Sequence, residues 1–294
     1  MSTRRKYKLQ LRSGTLALGE RTLVMGVLNV TPDSFSDGGI FFKPRAAVRQ
    51  ALAIEAAGAH LLDIGAESTR PGSSGTSAAE ELRRLLPVLE ALAGRLRIPI
   101  SVDTRKALVA EAALAAGAQI VNDVSGLRHD PALARVAAKY RAPLILMHMR
   151  GQPATMQQTP FARAALPDVR EGLRRSIATA REQGLRKSQI LLDPGIGFGK
   201  SWRQNYQLLA GLEEIARLGF PLVVGTSRKG FLGATLGRDG QSAPAKKRIW
   251  GTAATVTASI LHGAHIVRVH DVREMLEVAR VSDCVLRPQL SPDR

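Results

Sequence analysis

Residues 24–39 read VMGVLNVTPDSFSDGG, an apolar stretch that reaches Asn29 and then opens into a polar loop ending in two glycines. Its first part has the Val, Leu and Met content of a buried strand, whereas Thr31, Pro32 and Asp33 are typical of turns. The stretch therefore predicts a strand that delivers Asn29 to one edge of a ligand site.

Seven further apolar runs follow, and longer segments rich in Ala, Leu, Arg and Glu with helical periodicity separate them. The eight predicted strands are 23–30, 61–65, 98–103, 120–124, 144–148, 190–193, 222–225 and 266–270. Apolar strands that alternate with helices indicate a parallel sheet covered on both faces. Eight such units predict an α/β fold, a (β/α)8 TIM barrel of eight parallel strands. An open doubly wound sheet is the alternative, but no dinucleotide-binding fingerprint follows the first strand.

The chain is predicted to divide into three parts. Residues 1–21 form an N-terminal extension in which alternation around Arg12-Ser13-Gly14 predicts a short β-hairpin that closes the barrel bottom. No linker rich in Pro and Ser interrupts residues 22–287, which are predicted to form a single barrel domain, and residues 288–294 are predicted to fray.

Composition narrows the class of protein. The chain has 294 residues, of which 45% are hydrophobic and 23% charged, as in ordinary globular proteins. Its single cysteine, Cys284, excludes an internal disulfide and favours a reducing compartment. The basic start lacks the apolar core of a secretory signal, and no apolar run could span a membrane. We therefore expect a cytoplasmic protein with no membrane partner.

The net charge of +17 makes nucleic-acid binding a hypothesis to weigh. The cations are scattered through helix-like segments, and aromatic residues make up only 4% of the chain, too few for rows of base-stacking platforms. We therefore expect anionic small-molecule substrates and no nucleic-acid partner. Such substrates explain only part of the charge.

Polar side chains follow most of the predicted strands. In barrel enzymes the carboxyl ends of the strands surround the active site, so these side chains should meet at one mouth. The strings at the strand ends are TPDSFSDGG, ESTRPG, VDTRK, NDVSG, MHMRGQPATMQ, LDPGIGFGK, GTSRKGFLG and RVHDV.

In this order the strings resemble the signatures of dihydropteroate synthases, the pterin-binding enzymes of folate biosynthesis, from about Leu23 to about Val272. The resemblance implies a monofunctional transferase that condenses 6-hydroxymethyl-7,8-dihydropterin diphosphate with p-aminobenzoate. The products would be 7,8-dihydropteroate and pyrophosphate, formed through a cation-like pterin intermediate. It also implies a homodimer, Mg²⁺ as cofactor and sulfonamides as inhibitors.

The resemblance assigns three groups of binding residues. The pterin-binding residues would be Asp103, Asn122, Met147, Asp193 and Lys229. The diphosphate-binding residues would be Asn29, Thr69, Arg268 and His270. The p-aminobenzoate-binding residues would be Phe35, Thr69, Arg70, Pro71, Phe198 and Gly230.

Within these groups the catalytic residues would be Asp103, Lys229, Arg268 and His270, and the metal ligand would be Asn29. The residue types suit these roles: a carboxylate accepts two adjacent N–H groups of the pterin, and a guanidinium matches phosphate oxygens. Gly230 departs from the family pattern, in which many members carry serine at this position.

Alternative functions remain open at this point. A pterin-dependent methyltransferase would share the barrel and the residues that bind the edge of the pterin ring, and a non-catalytic pterin-binding paralogue would share both as well.

The string GIGFGKS at residues 195–201 ends like a phosphate-binding P-loop. The place of its first glycine is taken by Pro194, which has no N–H to offer, so we do not predict a nucleotide site there. The six histidines show no zinc-binding spacing.

Overall fold

The computed structural model describes residues 4–31, 44–68, 75–151, 156 and 164–292. An antiparallel hairpin comes first and an eight-stranded parallel sheet follows. The hairpin strands are β1 (Tyr7–Leu11) and β2 (Gly14–Leu18). The barrel strands are β3 (Leu23–Asn29), β4 (Leu61–Gly65), β5 (Ile100–Asp103), β6 (Ile120–Asp123), β7 (Leu144–Met147), β8 (Ile190–Asp193), β9 (Val223–Val224) and β10 (Ile266–Val269).

Helices separate the barrel strands, as the sequence predicts. They are α1 (Pro44–Ala56), α2 (Ala78–Leu92), α3 (Ala107–Ala115), α4 (Ala132–Lys139), α5 (Ala165–Glu182), α6 (Trp202–Ala210), α7 (Leu212–Ala216), α8 (Gly230–Thr235), α9 (Ile249–Leu261) and α10 (Val272–Leu286). Among the described helices, none is both long and apolar enough to cross a membrane.

The sheet closes on itself. Neighbouring strands pair in parallel from β3 to β8, and β10 pairs with both β3 and β9. A parallel bridge between Leu192 of β8 and Leu222, just before β9, joins the two ends. The predicted TIM barrel with an N-terminal hairpin is therefore confirmed. Six of the eight predicted strands are one or two residues shorter in the structure; the strand predicted at 98–103, for example, begins at Ile100.

Alternation along the strands divides the interior into layers. At the bottom, inward-facing apolar residues pack against the hairpin; they are Met25, Leu61, Ile120, Ile145, Leu191, Val223 and Ile266, with Leu9, Leu11 and Leu18 of the hairpin. Two residues further along their strands, the inward positions become polar at Asp63, Asn122 and Arg268. The hairpin therefore closes the bottom, and the polar layers lie toward the carboxyl ends of the strands.

A buried ionic cluster fastens the N-terminal segment to α10. Arg4 Nη2 lies 3.0 Å from Asp283 Oδ1, and Arg4 Nη1 donates to Thr22 Oγ1 at 2.7 Å and to the carbonyl of Ala264 at 2.8 Å. Asp283 also accepts from the Thr22 N–H at 2.6 Å. Residues Pro288–Leu290, within the tail expected to fray, form a 3-10 turn.

Candidate active site

Arg268 on β10 lies at the centre of a buried network inside the barrel. Its Nε donates to Asp63 Oδ2 on β4 at 2.6 Å, and its Nη2 donates to Asp103 Oδ2 on β5 at 3.0 Å. Asn122 on β6 donates from Nδ2 to the same Asp63 oxygen at 3.0 Å. One guanidinium and one amide thereby connect four strands of the barrel.

The charges in this network perturb one another. Burial and the neighbouring charge of Asp63 raise the pKa of Asp103 to about 8, although Arg268 opposes the shift. Burial alone would lower the pKa of Arg268, but the charges of Asp63 and Asp103 outweigh that effect and raise it. Arg268 is therefore a permanent cation, whereas the charge of Asp103 responds to what binds beside it.

Asp193 and Lys229 lie on the opposite arc of the same mouth. Asp193 Oδ1 accepts from the N–H of Gly195 at 2.7 Å, yet burial raises the pKa of this carboxyl group. Burial and the charge of Arg268 lower the pKa of Lys229 to about 8. Lys229 Nζ lies 4.0 Å from the centroid of the Phe198 ring, a cation–π contact.

Phe198 also borders an apolar cluster at the strand ends. Met147 is buried in this cluster with Val124, Met149 and Met156, and Phe198 packs against it. Methionine side chains are polarisable and adapt to flat rings, so the cluster can form one wall of an aromatic ligand site. Phe198 is predicted to bind p-aminobenzoate. In the structure it lies beside Lys229 and Met147, which are predicted to bind the pterin.

Backbone geometry explains the glycines of the loop after β8. Gly195 has φ of 67°, and a Cβ atom there would lie 1.9 Å from the carbonyl oxygen of His148. Only glycine allows this close approach. The contact sets the position of the loop whose first N–H binds Asp193.

Lys200 and Ser201 complete the loop without forming a phosphate site. Lys200 Nζ donates to the carbonyls of His148, Pro194 and Gly195 at 2.8, 3.0 and 2.8 Å. Ser201 Oγ accepts from the Gln204 N–H at 3.2 Å and so caps α6. The lysine and the serine of the P-loop-like string therefore hold the backbone and the helix end.

His270 follows β10 and contacts the loop after β9. Ser227 Oγ accepts from the His270 N–H at 3.1 Å and lies 3.0 Å from His270 Nδ1. Burial and the charge of Arg268 lower the pKa of His270 to about 4. Its imidazole is therefore neutral at pH 7.

The turn before α8 is rigidly held. Arg228 has φ of 59°, its Nε donates to Asp271 Oδ2 at 3.0 Å, and its carbonyl accepts from Arg248 Nη1 at 2.8 Å. Gly230 begins α8, and a Cβ atom placed on it would meet nothing within 4 Å. Gly230 has no positive φ, so its backbone does not require glycine.

A second ionic network joins two of the motif strings. Glu67 of ESTRPG accepts from Arg105 Nη2 at 3.0 Å and from Lys106 Nζ at 2.8 Å, and both cations belong to VDTRK. Glu67 also accepts from the Thr76 N–H at 2.9 Å, and Lys106 pairs with Glu81 at 2.6 Å. These contacts hold the backbone on both sides of residues 69–74.

The structure brings most of the predicted site residues to one end of the barrel. Asn29 ends β3 in register with Gly65, which in turn pairs with Asp103. Four predicted residues, Phe35, Thr69, Arg70 and Pro71, lie outside the described residues. Sequence reasoning missed Asp63; its signal is a lone acidic residue at an inward position of an apolar strand.

Comparison with known proteins assigns the family. The family model described as "Pterin binding enzyme" matches residues 25–270. The chain belongs to the pterin-binding enzyme family.

Relatives within the pterin-binding enzymes cover nearly the whole chain. A dihydropteroate synthase of Synechocystis is 49% identical over 92% of this chain and 92% of its own length. A Yersinia pestis dihydropteroate synthase solved with a sulfonamide drug is 43% identical, with a TM-score of 0.86 over 95% of this chain and 98% of that one. A Xanthomonas albilineans dihydropteroate synthase solved with 4-aminobenzoic acid is 40% identical, with a TM-score of 0.87 over 98% and 100%.

Proposed function

We propose that this member of the family is a dihydropteroate synthase, which joins 6-hydroxymethyl-7,8-dihydropterin diphosphate to p-aminobenzoate and releases pyrophosphate. The observation that carries the proposal is the convergence of Asp103, Asn122 and Arg268 in one hydrogen-bonded network at the mouth of the barrel. A pterin-dependent methyltransferase or a non-catalytic paralogue would need the pterin residues but not Asn29, Arg268 and His270 together.

The pterin ring would bind between the two arcs of the mouth. One oxygen of Asp193 is engaged by Gly195, which leaves the other to accept from the amino-pyrimidinone edge. Asp103 and Asn122 would complete that edge, and Lys229 would donate to the pterin carbonyl. Met147 would lie against the face of the ring.

The diphosphate would bind beside Arg268 and His270. Among the residues that the structure describes, none accepts a hydrogen bond from Arg268 Nη1, so this nitrogen can donate to a phosphate oxygen. Arg268 lies on β10 and His270 follows directly after the strand ends at Val269, so both side chains would serve one anion. When the Ser227 hydroxyl donates to His270 Nδ1, the proton lies on Nε2, which can then donate as well.

Leaving-group stabilisation is the main catalytic contribution in this proposal. Arg268 and His270 would bind the pyrophosphate as its negative charge grows, and the electron-rich pterin would stabilise the cation-like carbon. The amine of p-aminobenzoate then attacks that carbon. No protein nucleophile is needed.

The donor set at Asn29 fits Mg²⁺. Within the described ranges no group of three His, Cys, Asp or Glu side chains could hold a metal ion. In this proposal the protein would supply the Asn29 oxygen, and the diphosphate and water would supply the rest, as is common for Mg²⁺. When bound, the ion would neutralise charge on the diphosphate.

The p-aminobenzoate would bind near Phe198 and Gly230, with Phe35, Thr69, Arg70 and Pro71 as further contacts that lie outside the described residues. Sulfonamides resemble p-aminobenzoate and would compete for the same place. The Yersinia pestis relative was solved with a sulfonamide drug, which supports sulfonamide binding by this protein.

The proposal includes a cytoplasmic homodimer. A single cysteine suits a reducing compartment. Trp250 on α9 is 79% exposed, and Val281 and Val285 on the adjacent α10 are also exposed, so a second copy could cover these apolar side chains. Light scattering of the parent and of a Trp250→Lys variant would test the dimer, which we expect the variant to weaken.

The activity is tested by pyrophosphate release with both substrates and Mg²⁺. We expect turnover that needs both substrates, stops in excess chelator and is inhibited by sulfonamides in competition with p-aminobenzoate. Undiminished turnover in chelator would exclude the metal-dependent mechanism. Inhibition competitive with the pterin would show that the two pockets are assigned wrongly.

A further inference from the structure

Asp63 is a buried charge with no place in the substrate contacts described above. It is fully buried in the middle of β4, and its Oδ1 has no hydrogen-bond partner among the described residues. Burying a carboxylate with one oxygen unsatisfied opposes folding. The stability of the barrel therefore does not explain why a carboxylate occupies this position.

The other oxygen of Asp63 has two partners, and both are predicted site residues. Oδ2 accepts from Arg268 Nε at 2.6 Å and from Asn122 Nδ2 at 3.0 Å. Arg268 belongs to the proposed diphosphate site and Asn122 to the proposed pterin site. A single oxygen atom thus links the groups that would bind the two halves of one substrate.

The position of Asp63 explains why it can reach both groups without entering the ligand site. Asp63 lies two residues before Gly65 on the inward face of β4, roughly 7 Å below the strand end. Gly65 carries no side chain, and a Cβ atom on it would lie 3.3 Å from Asp103 Cβ. Arg268 thus reaches Asp63 and Asp103, which lie on neighbouring strands, with two different nitrogens.

The contacts also select one orientation of the guanidinium. Asp63 holds Nε and Asp103 holds Nη2, so Nη1 is the nitrogen left for a substrate oxygen. Without Asp63 the guanidinium would keep one ionic contact and could rotate about it. An arginine held by two carboxylates is already in its binding orientation, which reduces the entropy lost when the diphosphate binds.

We propose that Asp63 is a positioning residue, which orients Arg268 and Asn122 together so that the pterin and its diphosphate are bound as one unit. The inference rests on the proposed function. It assigns to Asp63 no contact with substrate.

The central experiment is Asp63→Asn, which keeps the size of the side chain and removes its charge. We expect the KM for the pterin diphosphate to rise by about tenfold or more, since both donors lose their charged acceptor. The KM for p-aminobenzoate should stay within about twofold, because no proposed contact of that substrate depends on Asp63. Asp63→Glu should recover part of the loss, because it restores the charge.

Ser101→Ala is the matched control. Ser101 pairs with Asp63 in the β4–β5 register, is also fully buried, and its Oγ has no partner among the described side chains. Both KM values should stay within about twofold in this variant. An equal rise of the pterin KM in Ser101→Ala would show that any change in this layer disturbs the site, and would overturn the specific role of Asp63.

An Arg268→Gln background tests whether Asp63 acts through Arg268. Asp63→Asn should then cost much less than in the parent, with a remainder carried by Asn122. An undiminished cost in that background would overturn the proposal. So would a loss that affects both substrates equally and follows a lowered Tm.

Calorimetric binding of the pterin diphosphate to the parent and to Asp63→Asn separates this inference from the proposed function. If the parent binds it tightly and Asp63→Asn weakly, but neither makes dihydropteroate, the positioning role stands and the proposed reaction fails. If the parent is active and Asp63→Asn binds equally well, the reaction stands and the positioning role fails.

Discussion

Gly230, at the start of α8, occupies the position where the resemblance to dihydropteroate synthases leads us to expect serine. Its backbone has no positive φ and a Cβ atom there would meet nothing within 4 Å, so serine can replace it without strain. We expect Gly230→Ser to tighten p-aminobenzoate binding by about 0.5–1.5 kcal/mol, the value of one added hydrogen bond. The KM for each substrate measures this effect, and the pterin KM should barely change.

Gly230→Ala is the control for that variant, because it adds the Cβ atom without the hydroxyl. Its p-aminobenzoate KM should match that of the parent. Equal tightening by alanine and serine would attribute the effect to a stiffer turn instead of a hydrogen bond.

Asp193 is a second residue whose substitution should change binding of one substrate in a defined way. Asp193→Asn can keep the bond from Gly195 through its remaining oxygen, but it then turns an NH₂ group toward the pterin donors. This mismatch should weaken binding of a pterin analogue by roughly 1–3 kcal/mol or more. Calorimetric titration measures the loss, and a change under about 0.5 kcal/mol would contradict the assignment of Asp193.

Single residues at strand ends could be predicted from the sequence, because a polar group after an apolar run stands out. Asp63 could not be predicted in the same way. Its role depends on which side chains the barrel brings across from β6 and β10, and the order of residues does not show that. The contact of Lys229 with Phe198 likewise depends on two loops that are distant in sequence.

The loop from β8 to α6 follows Asp193 directly, and Lys200 holds it through three carbonyls. Lys200→Met should lower the free energy of unfolding by roughly 1–3 kcal/mol, since buried acceptors lose their donor. It should also weaken pterin binding, because the backbone around Asp193 would loosen. Urea unfolding and calorimetry measure the two effects.

Ser201→Ala is the matched variant for the same loop. It removes the cap of α6 and should cost roughly 0.5–2 kcal/mol of stability. Pterin affinity should be retained, because Ser201 makes none of the carbonyl contacts. Equal losses of affinity in both variants would mean that general destabilisation, not loop order, controls binding.

The strands and helices could be predicted because the strands are short apolar runs, whereas the helices mix apolar and charged residues with helical periodicity. The strand predicted from residue 98 begins only at Ile100, because Pro99 cannot donate to the ladder. The hairpin followed from Ser13 and Gly14 between alternating segments.

The molecule as a whole carries a buried histidine, His265, that should make its stability depend on pH. His265 Nδ1 accepts from the Leu222 N–H at 3.1 Å, and Nε2 lies 2.9 Å from the Arg5 carbonyl, an arrangement that requires the neutral ring. Burial lowers the pKa of His265 from 6.5 to about 4. Between these values the unfolded chain binds more protons, so the free energy of unfolding decreases as the pH falls.

For His265 alone the expected loss is about 2 kcal/mol between pH 7 and pH 5. Urea unfolding at the two pH values measures it, and His265→Gln should show a smaller difference between them. His270, whose pKa is also lowered to about 4, adds to the effect in the parent and the variant alike. An unchanged pH dependence in His265→Gln would remove His265 as a cause.

For the whole molecule, the barrel could be predicted because a chain of eight alternating strands and helices has few ways to bury all its strands. The net charge of +17 remains only partly explained. Buried cations such as Arg4, Lys200 and Arg268 have specific partners, but many exposed ones in the described part of the chain do not.

The Arg4–Asp283 contact joins positions 279 residues apart. During translation, α10 must therefore leave the ribosome before the N-terminal segment can be locked in place. Until then the edge of β3 that will pair with β10 is exposed in the nascent chain, and its free backbone groups can pair with other chains. In the full-length chain this contact closes a loop of nearly the whole sequence, so it should be absent from the folding transition state. Loss of Asp283 should therefore accelerate unfolding and leave the refolding rate nearly unchanged.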